Sequence, residues 1–161
     1  MPPVALCPRG SALPCEVRLV SVETVARERL LALLDEYASG VGHPFQGEDV
    51  VVEAWDGATW LGALMGHANQ GWFFVSLLGV VPAARGRGVG SQLMHRAEVF
   101  ARERALVGLW LDTFSWQAPS FYQRLGFTEV GRIPDHPPGA ARVFLAKRLD
   151  GGALWPGQAV L

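Results

Sequence analysis

Two rhythms of apolar and polar positions run through the chain, and the points where they change mark its elements. Residues 16–20 (EVRLV) alternate with a period of two and predict a short first strand. From Ser21 or Glu23-Thr24 to about Ser39 the period lengthens. Val25, Leu30, Leu33, Leu34 and Tyr37 form a one-sided stripe, and Gly40 or Gly42 stops the helix. A polar loop, HPFQGED, follows over 43–49. Residues 50–55 and 60–67 predict two strands joined by DGAT, with Asp56-Gly57 as the hairpin signal. A long apolar strand over 72–81 ends at Pro82, which has no N–H with which to continue a ladder. Over 89–104 the period returns to 3.6, with Val89, Leu93, Ala97, Phe100 and Ala101 on one face. A buried-looking strand over 105–113, a short helix over 119–125 opened by Pro119, and strands over 127–133 and 142–149 complete the pattern.

The predicted order is β-α-β-β-β-α-β-α-β-β. Its early strands suit antiparallel hairpins, and its later β-α-β segments need crossover connections. The expectation is an α/β (α+β) fold with a mixed, mostly antiparallel central sheet flanked by helices. A single domain over 16–149 would carry an irregular arm over 1–15 and a tail over 150–161.

Composition narrows the function. Of 161 residues, 50% are apolar and 18% charged, which excludes a disordered chain. A net charge of −1 argues against nucleic acid as a partner, because phosphate-backbone binders carry a basic excess. No apolar run is long enough to span a bilayer, and the first residues make a poor signal peptide, so a soluble cytoplasmic protein is expected. Cys7 and Cys15 form no CxxC pair and have no histidine partner, and no metal site is expected.

The chemistry concentrates where the strand at 72–81 meets the helix at 89–104. Arg85-Gly86-Arg87-Gly88-Val89-Gly90 places bare backbone and two cations at the start of a helix whose first N–H groups lack intrahelical partners. Such a site favours an anion, and a phosphate-bearing ligand is predicted. A Walker loop is excluded because the chain has no Gly-Lys pair. A dinucleotide fingerprint fails too, since the glycines are spaced G-x-G-x-G and the loop does not follow the first strand.

These residues resemble the R/Q-x-x-G-x-G/A signature of the GNAT family of N-acetyltransferases, whose loop holds the pyrophosphate of acetyl-CoA. A second segment, Ala118 with Phe121-Tyr122 and Gly126-Phe127, is similar to the family's A-x-x-F-Y-x-x-x-G-F run. The element order matches as well, and the resemblance covers about 16–149. Leu111-Asp112-Thr113-Phe114-Ser115-Trp116-Gln117-Ala118 further resembles a bacterial subgroup of small acetyltransferases with an LDTFSFQAP-type run.

The resemblance implies a GNAT-like acyl-CoA acyltransferase fold and a role for individual residues. Backbone N–H groups from Arg87 to Ser91, through Gly88, Val89 and Gly90, would cradle the pyrophosphate beside Gly86. Arg85 would clamp it, and Arg87 would reach the adenosine 3′-phosphate. Leu78, Gly79, Val80 and Val81 would pair with the pantetheine arm, with Gly79 marking a bulge or splay. Tyr122 would protonate the departing thiolate. No glutamate occupies 74–78, so the general base stays open between Asp112 and His67. Glu48, Asp49, His67 and Trp116 are candidate acceptor contacts. The implied reaction carries acetyl from acetyl-CoA to a primary amine of a small molecule by direct attack in a ternary complex. A protein or peptide acceptor, or a non-catalytic CoA-binding protein, are the alternatives. Trp155 in the tail is a candidate homodimer contact.

Overall fold

In the computed structural model, Ser21 and residues 24–155 are described. The expected strand at 16–20 and the N-terminal arm lie outside them. The elements are α1 (Thr24–Gly40), β1 (Glu48–Asp56), β2 (Thr59–Asn69), β3 (Trp72–Val80), a 3-10 turn (Pro82–Ala84), α2 (Val89–Glu103), β4 (Gly108–Phe114), α3 (Pro119–Arg124), β5 (Thr128–Pro134) and β6 (Ala141–Arg148). Among the described residues, six strands form one sheet in the order β1-β2-β3-β4-β6-β5. The β3–β4 joint is parallel and the other four are antiparallel. This is the mixed, mostly antiparallel sheet that the alternation predicts.

Both crossovers, β3-α2-β4 and β4-α3-β5, advance the same way along the sheet. Right-handed connections therefore put α2 and α3 on one face. The predicted stripe of α2 is the one buried: Val89, Leu93, Ala97, Phe100 and Ala101, joined by Met94. It packs on Leu64, Phe73, Val75, Leu109, Leu111, Val143 and Leu145, with Phe73 and Phe100 edge to face at 5.6 Å. Each Val, Leu, Met or Phe side chain so buried contributes about 1.5–3 kcal/mol. Phe121, Tyr122 and Leu125 around α3 pack against the same core.

The opposite face follows from period-two alternation. Leu109, Leu111 and Thr113 are buried beneath the helices, so Trp110, Asp112 and Phe114 lie on the far side. Val51, Met65, Leu77 and Trp110 are exposed there.

Three expectations need correction. The α1 stripe is not core: Leu30, Leu33, Leu34 and Tyr37 are all more than half exposed, and Ala38 is the buried residue. The helix stands off the sheet at the end of β2, over a cleft of about 610 Å³ lined by Leu31, Leu34, Phe45, His67 and Asn69. Glu48 and Asp49 are not in a loop, because β1 begins at Glu48 and pairs both with β2. The bulge of β3 falls at Ser76 rather than Gly79. Met65 faces Leu77 while Gly66 faces Val75, so Ser76 is the residue left over.

That bulge positions the site. β3 and β4 pair only from Trp72↔Gly108 to Val75↔Leu111. Beyond Val75 the bulge turns β3 away, and Leu77–Val80 no longer pair with Asp112–Phe114, which leaves a slot between the two strands.

Candidate active site

On the helix-bearing face the slot opens into a cleft of about 470 Å³. One wall is the end of β3 and the start of α2: Leu78, Val80, Arg85, Gly86, Gly88, Val89, Gly90 and Ser91. The other is α3 and its approach: Ala118, Phe121, Tyr122 and Arg124. The glycines divide the work. Gly86 and Gly88 have φ of 72° and 80°, a left-handed backbone that strains any other residue. A Cβ at either would meet open space, so their bare surface faces the cleft. Gly90 has ordinary φ but lets α3 approach, since a Cβ there would stand 3.3 Å from the Phe121 ring.

Gly88 is the N-cap of α2 and supplies no side-chain cap. The first helical hydrogen bond is Gln92 N to Gly88 O at 3.0 Å, so the N–H groups of Val89, Gly90 and Ser91 have no partner within the helix. With the helix dipole they form an anion site. Arg85 lines the cleft while its Nε donates to Val80 O at 3.1 Å, which ties the loop to β3.

Not every expected donor-side residue faces this cleft. Gly79 is exposed at the mouth of the slot. Val81 N donates to Leu61 O at 2.9 Å and continues the contact with β2. Arg87 points into a neighbouring groove with Glu53, Trp55, Gln92 and Arg96. Arg124, to which sequence reasoning gave no role, is a second cation on the cleft wall; its place two residues after Tyr122, on the same short helix, was the available signal.

Tyr122 is half-buried against Phe121, at 5.0 Å, and Phe127, at 6.1 Å, both edge to face. Burial raises the phenol pKa above its ordinary value, and the negative charge of Asp112 raises it further. The phenol therefore keeps its proton across the neutral range, as a proton donor must.

Across the slot, Asp112 Oδ2 accepts a hydrogen bond from Arg142 Nε at 2.7 Å, with the carboxylate only 16% exposed. Asp112 is thus close enough to act on Tyr122, but it is not an unpaired carboxylate. Trp116 is 65% exposed and stacks on Phe114 with ring centres 5.6 Å apart.

The remaining candidates lie elsewhere. His67 Nδ1 and Asp49 Oδ1 are 2.7 Å apart on β2 and β1, and His67 faces the cleft beneath α1. β3 separates β2 from β4, so about 10 Å of sheet lies between that pair and Asp112. Glu48 takes both Arg104 Nε and an Arg104 terminal nitrogen at 3.1 Å, beside the end of α2. Among the described residues, no three His, Cys, Asp or Glu side chains come together to hold a metal, and no helix is long and apolar enough to cross a membrane.

Comparison with known proteins agrees with this geometry. A model of the acetyltransferase (GNAT) family matches residues 22–127. A blasticidin-S acetyltransferase of Streptomyces morookaense is 46% identical over 89 residues, covering 55% of this chain and 65% of that protein. An acetyltransferase of Agrobacterium fabrum is 39% identical over 87 residues, covering 54% of this chain and 64% of that protein. The matches thus span less than two thirds of these two curated relatives. Among solved structures, an acetyltransferase from Bacillus cereus superposes with a TM-score of 0.70 at 28% identity, covering 83% of this chain and 98% of that one.

Proposed function

The chain belongs to the acetyltransferase (GNAT) family, and from that premise we propose that it transfers an acetyl group from acetyl-CoA to a primary amine of a small molecule, by direct attack in a ternary complex. The observation that carries this reading is the slot between β3 and β4. The cleft of Gly86, Gly88 and Ser91 lies on one face of the sheet there, Asp112 belongs to the other face, and Tyr122 lines the cleft within reach of the Asp112 charge.

The residues fit the donor. The open N–H groups of Val89, Gly90 and Ser91, with Arg85 and Arg124, match a pyrophosphate in charge and donor type. Leu78 and Val80 offer apolar surface and a diverging strand edge to a linear amide arm. When bound, acetyl-CoA supplies an acyl carbon already activated as a thioester.

The chain's own groups do the rest. A backbone N–H on the slot edge of β3, at Leu78, whose pairing with Leu64 leaves it turned away from β2, stabilises developing negative charge on the acyl oxygen. Tyr122 gives its phenolic proton to the departing sulfur. Asp112, held by Arg142, steers the amine toward the slot by its position, and a water relays the amine proton outward. Cys7 and Cys15 lie outside the family match, and no covalent acyl-enzyme is invoked.

A small acceptor is supported by the Streptomyces morookaense relative, which is named for a single compound, blasticidin S. Calorimetry with acetyl-CoA, followed by a transfer assay over a panel of small amines and one lysine-bearing peptide, tests the reading. Saturable acetyl-CoA binding with turnover on small amines is expected. Absence of acetyl-CoA binding, or turnover on the peptide alone, would overturn it.

A further inference from the structure

The acceptor face carries a built feature that acetyl transfer in general does not require. Phe114, the last residue of β4, stacks with Trp116 at 5.6 Å and 6°, and with His136 at 6.1 Å and 22°. Arg142 sits opposite Phe114 in the β4–β6 register, with its guanidinium carbon 5.8 Å from that ring while it holds Asp112. Three near-parallel rings and one planar cation therefore form a shelf beside the slot.

The polar side chains around the shelf are turned to fixing its backbone. Gln117 Oε1 accepts from Thr113 Oγ1 at 2.9 Å and from Phe114 N at 3.0 Å. Ser115 is tied to the start of β6 twice: Ser115 N donates to Ala141 O at 2.8 Å, and Ala141 N donates to Ser115 Oγ at 3.0 Å. Asp135 Oδ1 accepts from Gly139 N at 2.8 Å and closes the turn that carries His136. One exposed tryptophan is ordinary on a protein surface. An exposed tryptophan on a loop pinned at both ends, parallel to a second fixed ring and next to the reacting slot, is a preorganised contact.

The arrangement also discriminates between ligands. Arg142 already occupies the cation position over Phe114 and already balances Asp112. A ligand therefore finds no vacant face on Phe114, whereas Trp116, 65% exposed, keeps a face open to a flat group. We propose that this shelf selects acceptors whose amine is borne on a planar, π-conjugated ring system, which stacks on Trp116 and so places the amine at Asp112. Phe114 and His136 set the plane of the shelf, and Arg142 is a positioning residue. The proposal rests on the acetyltransfer reading for its biological use, and it is readable without turnover.

The test follows the Trp116 indole N–H by NMR during titration with 2-phenylethylamine and with 2-cyclohexylethylamine, which differ mainly in ring planarity. Each titration is run with and without saturating CoA. The flat amine should bind about three- to tenfold more tightly, the range expected for a single stacking contact. Trp116→Ala, followed through the nearby His136 amide, should abolish the preference while leaving acetyl-CoA affinity unchanged. Equal affinities, no binding of either amine, or a preference that survives in Trp116→Ala would each overturn the shelf. Failure of acetyl-CoA to bind the unaltered protein would instead strike the functional reading and leave the ring preference separately measurable.

Discussion

The two sides of the slot are built by different means. The donor wall draws most of its surface from one unbroken stretch, residues 78–91, and works through backbone: open N–H groups, two left-handed glycines and a strand end unpaired on its β4 side. The acceptor shelf is gathered from residues 112–117, 136 and 142, and works through side chains held by hydrogen bonds between distant segments. Recognition by backbone depends on local conformation, which a short motif can specify. Recognition by side chains depends on which segments the fold brings together.

Substitutions can break that contrast or sharpen it. The largest effect belongs to Tyr122, the proposed acid, which lines the cleft and feels the charge of Asp112. Tyr122→Phe should lower kcat by about 10²–10⁴-fold, the usual contribution of a positioned acid. Steady-state kinetics and calorimetry together should find acetyl-CoA affinity within about twofold of the unaltered protein, because no charged hydrogen bond to the donor is removed. Unchanged turnover would take Tyr122 out of the acid role.

Next in size is Gly88→Val, which forces a β-branched residue into a left-handed backbone and crowds the open N–H groups. Acetyl-CoA should bind about 10- to 100-fold more weakly, the cost of one or two lost charge-assisted hydrogen bonds. Amine binding at the shelf should not change. A loss of both would mean that the two sides are not independent.

The smallest effect links the sides through charge. The chain has two tyrosines, so in a Tyr37→Phe background the ultraviolet titration of phenolate reports Tyr122 alone. Burial and the Asp112 charge both raise its pKa. Asp112→Asn removes the second cause and frees Arg142, and both changes favour the phenolate. Ionisation should therefore move to lower pH than in the Tyr37→Phe protein, yet stay above that of an unburied phenol. No shift would mean that the carboxylate does not act on Tyr122.

The same contrast explains what could be read from the chain. The α2 stripe was legible because its five predicted apolar positions obey one period and all are buried. The anion loop was legible because glycine and arginine spacing is a local property. The Ser76 bulge was not, since an extra residue in a strand is defined only against its partner, and Gly79 was the conspicuous residue nearby. Pairs such as Asp112–Arg142 and Glu48–Arg104 join residues 30 and 56 positions apart, beyond any local pattern. The α1 stripe marks the opposite failure. Amphipathic spacing states that a face can be buried, and Leu30, Leu33 and Leu34 lie on a helix that stands away from the sheet.

The slot also has a consequence for traffic. On the proposed reading, donor and acceptor enter from opposite faces of one sheet, and neither obstructs the other's doorway. Binding order should then be random, and each product should leave by the route its precursor took. Spent CoA should compete with acetyl-CoA for one entrance while leaving the other open to the amine. In inhibition plots the two substrates should therefore respond to CoA in different patterns, a kinetic signature of a sheet whose two central strands part.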